Sequence, residues 1–141
     1  MIVYLDTSVV LSIVALDSNS EKAGAWYGSL QAAVVISDLA DLEVCAVISR
    51  ELRAKRFSRS VADRALSDFD SLRAASERST PDAQDFALAD RLVRDYSTKL
   101  TAADALHLAS AKNGGARLAT FDVRLAEAAR AAGVELEHDA F

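Results

Sequence analysis

The chain has 141 residues, of which 51% are hydrophobic and 26% are charged, and its formal net charge is −5. This acidic balance argues against a protein that holds nucleic acid through bulk positive charge, so any such contact must be local or metal-assisted. The chain has one cysteine, which excludes an intrachain disulfide and fits a cytoplasmic protein. No uncharged run reaches the ~20 residues that span a bilayer, so we expect no membrane contact. The length favours a single domain, residues 1–141.

Short apolar runs separated by long helical patterns predict an α/β fold with a parallel sheet. The first run, Ile2–Leu5, lacks polar alternation, which is typical of a strand buried on both faces of such a sheet. The predicted strands lie at residues 2–5, 33–36, 116–119 and 134–136, with a weaker candidate within 72–78. The predicted helices span about 9–16, 21–31, 38–55, 59–70, 82–95, 102–113 and 123–132.

Two aspartates follow predicted strands. Asp6 comes directly after the first strand, and Asp122 lies shortly after the strand that ends at residue 119. If these strands are neighbours in a parallel sheet, their carboxyl ends lie ~5 Å apart, at the edge where such sheets bind ligands. Each aspartate could instead be the N-cap of the helix that follows it, and Thr101 with Asp104 resembles a capping box.

Two further acids are predicted to point inward from helices. Glu43 falls between Leu39 and Val47 in an apolar sector of its helix, where a lone carboxylate would be costly to bury. Asp104 shares a helical stripe with apolar residues, and the usual partner in a capping box is Glu or Gln rather than Asp. We therefore expect both acids to join the strand-end aspartates at one edge of the sheet.

Four converging carboxylates could not all remain ionised without a cation. An all-oxygen cluster without a cysteine or histidine cage suits a hard ion, so we predict Mg²⁺ or Mn²⁺ at Asp6, Glu43, Asp104 and Asp122. Such an open site aligns a phosphate, activates a water for in-line attack and neutralises the leaving oxygen. Phosphodiester hydrolysis is therefore the leading functional hypothesis.

Small hydroxyl residues flank the two strand-end acids. Thr7 and Ser8 would orient Asp6 or a water at the ion, and Thr120 would do likewise for Asp122. The same residue types are the ordinary choice at strand-to-helix turns, which is the alternative interpretation.

Four segments in register resemble the PIN domain, and within it the VapC-type ribonuclease toxins of toxin–antitoxin pairs. They span nearly the whole chain and lie at residues 4–8, 37–50, 103–109 and 120–122. The resemblance implies a three-layer α/β/α sandwich with a parallel sheet of four or five strands, and a Mg²⁺- or Mn²⁺-dependent endoribonuclease site. The acids of that site would be Asp6, Glu43, Asp104 and Asp122, with Asp6 and Asp104 as the most direct metal ligands.

The resemblance also implies an RNA substrate, a homodimer and a cognate antitoxin that blocks the site. A PIN-domain RNA-processing nuclease without an antitoxin, and a non-catalytic metal-binding interaction module, are the alternatives. A haloacid-dehalogenase-type phosphatase fits less well, because it would carry a second acid where this chain has Ser8. A phosphoacceptor receiver domain would need paired early acids and a lysine at the end of a late strand. Residues 120–124 contain no lysine.

The one basic cluster extends the helix that carries Glu43. Arg50, Arg53 and Arg56 could bind RNA phosphates beside the predicted ion. They could equally be the solvated end of a long helix, or bind acidic residues of the antitoxin. His107, close to Asp104 on the same predicted helix, is more typical of a packed or partly exposed histidine than of a ligand.

Overall fold

The computed structural model describes residues 1–15 and 17–137. Its centre is a four-stranded sheet made of β1 (Ile2–Leu5), β2 (Ala33–Ser37), β3 (Glu77–Ser79) and β4 (Arg117–Ala119). The strands lie in the order β3–β2–β1–β4, and every neighbouring pair is parallel. The predicted parallel α/β sheet is therefore confirmed.

Helices follow or connect the strands, and they correspond to the predicted ones to within about one turn at each end. They are α1 (Thr7–Val14), α2 (Ser20–Ser29), α3 (Asp38–Arg53), α4 (Arg59–Ala74), α5 (Ala83–Arg94), α6 (Ala102–Asn113) and α7 (Val123–Ala131). A short 3₁₀ helix at Tyr96–Thr98 was not predicted. The predicted end of the first helix, residue 16, lies outside the described residues.

Alternate strand residues pack on opposite faces of the sheet, as the two-residue period of a strand requires. Val3 and Leu5 belong to one buried cluster, which also includes apolar residues of α1, α2, α3 and α4. Tyr4 and Leu118 belong to a second cluster, formed with residues of α6 and α7. The sheet is thus covered by helices on both faces, which confirms the three-layer α/β/α sandwich.

Two strand predictions need correction. Residues 134–136 form no strand, because Leu136 makes only an isolated parallel bridge with Leu118 beside β4. The candidate within 72–78 begins too early, since residues up to Ala74 belong to α4 and the strand is β3. The side chains of β3 are largely exposed and polar, so its position is set by pairing with β2 rather than by an apolar pattern.

Several helices begin at the carboxyl edge of the sheet. α1, α3 and α7 begin at or shortly after the carboxyl ends of β1, β2 and β4. α6 leads back to the amino end of β4, so its first turn lies at this same carboxyl edge. Within the described part of the chain, none of the helices combines the length and apolar character needed to cross a membrane.

Candidate acidic site

Asp6 is buried at the end of β1, with 4% of its surface exposed. It is the N-cap of α1, as one interpretation predicted, and its Oδ1 accepts hydrogen bonds from the Val9 N–H at 3.1 Å and from Ser8 Oγ at 2.7 Å. Oδ2 accepts a third from Thr120 Oγ1 at 2.5 Å. Burial raises the pKa of Asp6 above its ordinary value, against these hydrogen bonds. Ser8 therefore orients Asp6, as its neighbouring position suggests.

Thr120 joins the ends of β1 and β4, which are neighbours as predicted. Its hydroxyl donates to Asp6 rather than to the Asp122 carboxylate, and accepts the Asp122 N–H at 2.9 Å. Asp122 is the N-cap of α7, because its Oδ1 accepts the Leu125 N–H at 2.9 Å. The expectation that Thr120 orients the side chain of Asp122 is therefore replaced by a contact with Asp6.

Glu43 lies on α3 and is partly buried, with 32% of its side chain exposed. Its Oε1 accepts hydrogen bonds from Thr7 Oγ1 at 2.8 Å and from His107 Nε2 at 2.6 Å. Burial acts to raise the pKa of Glu43, but the hydrogen bonds from His107 and Thr7 outweigh it and the pKa lies below its ordinary value. Thr7 therefore donates to Glu43 rather than to Asp6, and its alternative role of orienting a water at the ion stays a prediction.

His107 is packed, as the sequence pattern predicted, with only 2% of its surface exposed. The prediction did not include its contacts, which are Glu43 on one side and the Tyr4 hydroxyl, 2.8 Å from Nδ1, on the other. One sequence signal points to such partners: a histidine between apolar residues on a buried helix must find hydrogen bonds. Nothing in the sequence identifies those partners, since Tyr4 and Glu43 are far away along the chain.

Asp104 lies in the first turn of α6, where Thr101 Oγ1 accepts its backbone N–H at 3.2 Å. Burial raises the pKa of Asp104, and the charges of Asp122 and Glu43 raise it further. The carboxylates of Asp122 and Glu43 therefore both disfavour the ionised form of Asp104. Arg side chains in the described ranges form ion pairs elsewhere, and none of those pairs involves any of the four predicted site acids.

The acidic side chains can be compared with the coordination that a divalent cation requires. Residues 1–15 and 17–137 contain no group of three His, Cys, Asp or Glu side chains arranged as a ready metal cage. Mg²⁺ does not require one, since it usually keeps several waters and binds one or two carboxylates together with substrate phosphates. Carboxylate oxygens that lie outside the arginine ion pairs of the described ranges fit this manner of binding. The assignment of the four acids as metal ligands stays a prediction.

The predicted basic residues lie at and beyond the end of α3. Arg53 donates to Ser49 Oγ, and Arg56 makes a bidentate pair with Glu51. Arg50 approaches Glu51 only at 3.7 Å, and 64% of its side chain is exposed. These contacts leave Arg50 the most available of the three predicted arginines.

Arg50 also has a particular position relative to Glu43. It lies seven residues further along α3, which is almost two helical turns, so both residues emerge from the same side of the helix about 10 Å apart. Arg53, ten residues after Glu43, falls on a different side of the helix. Arg50 is therefore the predicted RNA-binding arginine best aligned with the acids.

The comparison with known families decides the affiliation of the chain. The family model of the PIN domain matches residues 3–131, from β1 to the end of α7. The chain belongs to the PIN-domain family. No curated protein matches the sequence.

Solved structures share the fold of this PIN domain. The VapC20 toxin of Mycobacterium tuberculosis, described as cleaving the sarcin–ricin loop, has a TM-score of 0.73 at 20% identity over 89% of this chain and 94% of its own. FitAcB from Neisseria gonorrhoeae has a TM-score of 0.75 at 20% identity, with 96% of both chains covered. VapBC2 from Rickettsia felis, bound to a promoter DNA fragment, has a TM-score of 0.69 at 18% identity, over 97% and 98% of the two chains.

Proposed function

We propose that this PIN-domain protein is a Mg²⁺- or Mn²⁺-dependent endoribonuclease that hydrolyses RNA phosphodiester bonds, and the toxin of a toxin–antitoxin pair. The observation that carries the proposal is the group of acids at the carboxyl edge of the sheet, none of which takes part in the arginine ion pairs found within residues 1–15 and 17–137. The similar fold of VapC20, a protein described as cleaving the sarcin–ricin loop, supports RNA as the substrate class.

Asp6 and Asp104 would hold the cation, with Glu43 and Asp122 completing the acidic pocket. A bound Mg²⁺ or Mn²⁺ would supply charge neutralisation on the phosphate and activation of the attacking water. Asp6 is fixed by hydrogen bonds to both of its oxygens, so its direction is set before any ligand arrives. Glu43 stays ionised at neutral pH, because the hydrogen bonds from His107 and Thr7 lower its pKa despite burial.

Arg50 would bind an RNA phosphate next to the acids. Its exposed guanidinium and its position two turns from Glu43 support this role. A local basic contact would also reconcile RNA binding with the negative net charge of the protein. Arg53 and Arg56, which already have partners on their own segment, would contribute less.

A cognate antitoxin and a second copy of the chain are the proposed protein partners. The similar structures include toxin–antitoxin complexes from Rickettsia felis and Salmonella typhimurium, which supports an antitoxin. Several large apolar side chains are exposed in the described ranges and would be available for such contacts. They include Leu42 at 71% exposure, Phe86 at 58%, Tyr96 at 90% and Val123 at 70%.

Incubation with structured RNAs and Mn²⁺, followed by mapping of the cut ends, tests the activity. Asp6→Asn is the inactive comparison, and Asp95→Asn is the matched control, because Asp95 is also an N-cap but belongs to the 3₁₀ helix. We expect metal-dependent cuts from the wild type and Asp95→Asn that are absent from Asp6→Asn. Identical patterns from all three proteins would refute hydrolysis by this site.

A growth assay tests the toxin role separately. Induced expression should arrest growth, and coexpression of a small gene adjacent to this one should relieve the arrest. Cleavage of RNA without growth arrest would instead favour a PIN-domain nuclease of RNA processing.

A further inference from the structure

A buried chain of hydrogen bonds connects the sheet core with the acidic edge. The Tyr4 hydroxyl lies 2.8 Å from His107 Nδ1, and His107 Nε2 lies 2.6 Å from Glu43 Oε1. Tyr4 and His107 are 1% and 2% exposed, and their rings meet edge to face with centroids 5.7 Å apart. Thr7 Oγ1 lies 3.2 Å from the same Nε2 and 2.8 Å from the same Oε1.

The chemistry of the partners assigns the protons of this chain. An ionised carboxylate only accepts hydrogen bonds, so His107 Nε2 must carry a proton to bond Glu43. In a neutral imidazole Nδ1 is then the acceptor, and the Tyr4 hydroxyl is its donor. The Tyr4 hydroxyl is buried and lies 2.8 Å from Nδ1, a distance at which it donates its proton to the ring in a hydrogen bond.

Both hydrogen bonds to Glu43 from described residues end on Oε1. Two donors from different elements, Thr7 of α1 and His107 of α6, thus fix this oxygen, and the carboxylate cannot rotate without breaking both bonds. Oε2 is then the oxygen that these two donors leave open. The second bond depends on the tautomer of the ring, which the partner at Nδ1 sets.

We propose that His107 is a positioning residue that holds Glu43 through Nε2–H, and that Tyr4 acts through His107 by fixing its tautomer. This inference rests on the proposed function in one respect: Glu43 must act in a cation-dependent site. It adds two residues that would act through Glu43 rather than directly on the ion or the RNA.

Two substitutions of one residue separate positioning from packing. The side-chain amide nitrogen of glutamine takes the place of Nε2 in histidine, whereas that of asparagine takes the place of Nδ1. His107→Gln therefore keeps a donor for Glu43, and His107→Asn keeps only a partner for Tyr4. Both variants lose the same ring packing, so each serves as the other's control.

Mn²⁺ affinity, measured by calorimetry without RNA, is the first measurement. We expect His107→Asn to weaken binding about 10-fold or more, as the loss of such an outer partner typically does, while His107→Gln stays near the wild-type value. The rate of RNA cleavage should follow the same order. Equal affinities for the two variants would overturn the positioning role of His107.

Nitrogen NMR of the wild-type imidazole is the second measurement, and it needs no substitution. The chain has two histidines, and the resonances lost in His107→Gln identify those of His107. We expect a protonated Nε2 and an unprotonated Nδ1, with the Nδ1 resonance shifted in Tyr4→Phe. A proton on Nδ1 in the wild type would overturn the proposal. Since this measurement uses neither metal nor RNA, a failure of the nuclease proposal would leave its result readable.

Discussion

Replacement of Thr120 by valine removes the hydroxyl that ties β1 to β4 while keeping nearly the same volume. Thr120 is 5% exposed, and its hydroxyl donates to Asp6 Oδ2 and accepts the Asp122 N–H. A hydrogen bond to a charged group contributes about 1.5–3 kcal/mol, and loss of the acceptor for a backbone N–H costs about 1 kcal/mol more. We therefore expect the free energy of unfolding to fall by about 3 kcal/mol.

Thr120→Ser is the matched control, because it keeps both hydrogen bonds and loses only one buried methyl group, which costs about 1 kcal/mol. Urea denaturation followed by circular dichroism measures both variants. A loss of about 3 kcal/mol should also lower the melting temperature of the valine variant by about 10 °C, since each kcal/mol corresponds to about 2–4 °C in proteins slightly larger than this one. A serine variant as unstable as the valine variant would refute the assignment of the stability to the hydroxyl.

Three further predictions concern charge. Without metal, Asp104→Asn should raise the free energy of unfolding at neutral pH, because burial and neighbouring carboxylates raise the pKa of Asp104 in the folded protein. Below the pKa that Asp104 has in the unfolded chain, the carboxyl group is protonated in both states, so urea denaturation should show no gain there. Millimolar Mg²⁺ should raise the melting temperature of the wild type but less that of Asp6→Asn, and equal shifts would contradict the site. Arg50→Ala should raise the KM for RNA and reduce the salt dependence of KM. Arg59→Ala is the control and should have the smaller effect, because Arg59 is paired with Asp63.

The sequence predicts a strand correctly where its apolar pattern reflects burial. The unbroken apolar run of β1 predicted a strand buried on both faces of the sheet, and Val3, Tyr4 and Leu5 are buried between the two helix layers. β3 has no such pattern, since Glu77 and Arg78 are exposed, and its place depends on pairing with β2 and on an ion pair between Arg78 and Asp38. The run at 134–136 resembles a strand, but it pairs with the sheet only at Leu118, and the Val134 N–H donates instead to the carbonyl of Ala129 at the end of α7.

The four candidate acids stand out in the sequence because a carboxylate on an apolar helix face, or directly or shortly after a buried strand, is energetically costly without a partner. Their hydrogen-bond partners could not be predicted from it, since these are set by helices that meet only in the folded protein. Thr7 is 36 residues from Glu43, and Thr120 is 114 residues from Asp6. Adjacency along the chain therefore indicates the contact between Ser8 and Asp6, but it does not indicate that Thr7 donates to Glu43 or that Thr120 donates to Asp6.

RNA cleavage by the wild type and by four single variants tests the acidic site most directly, in Mn²⁺ and again in EDTA. The variants are Asp6→Asn, Glu43→Gln, Asp104→Asn and Asp122→Asn, with Asp95→Asn as control. We predict metal-dependent cleavage that each of the four slows by about 100-fold or more and that the control leaves unchanged. Cleavage that persists in EDTA, or at the wild-type rate in the four variants, would contradict a shared metal-dependent site.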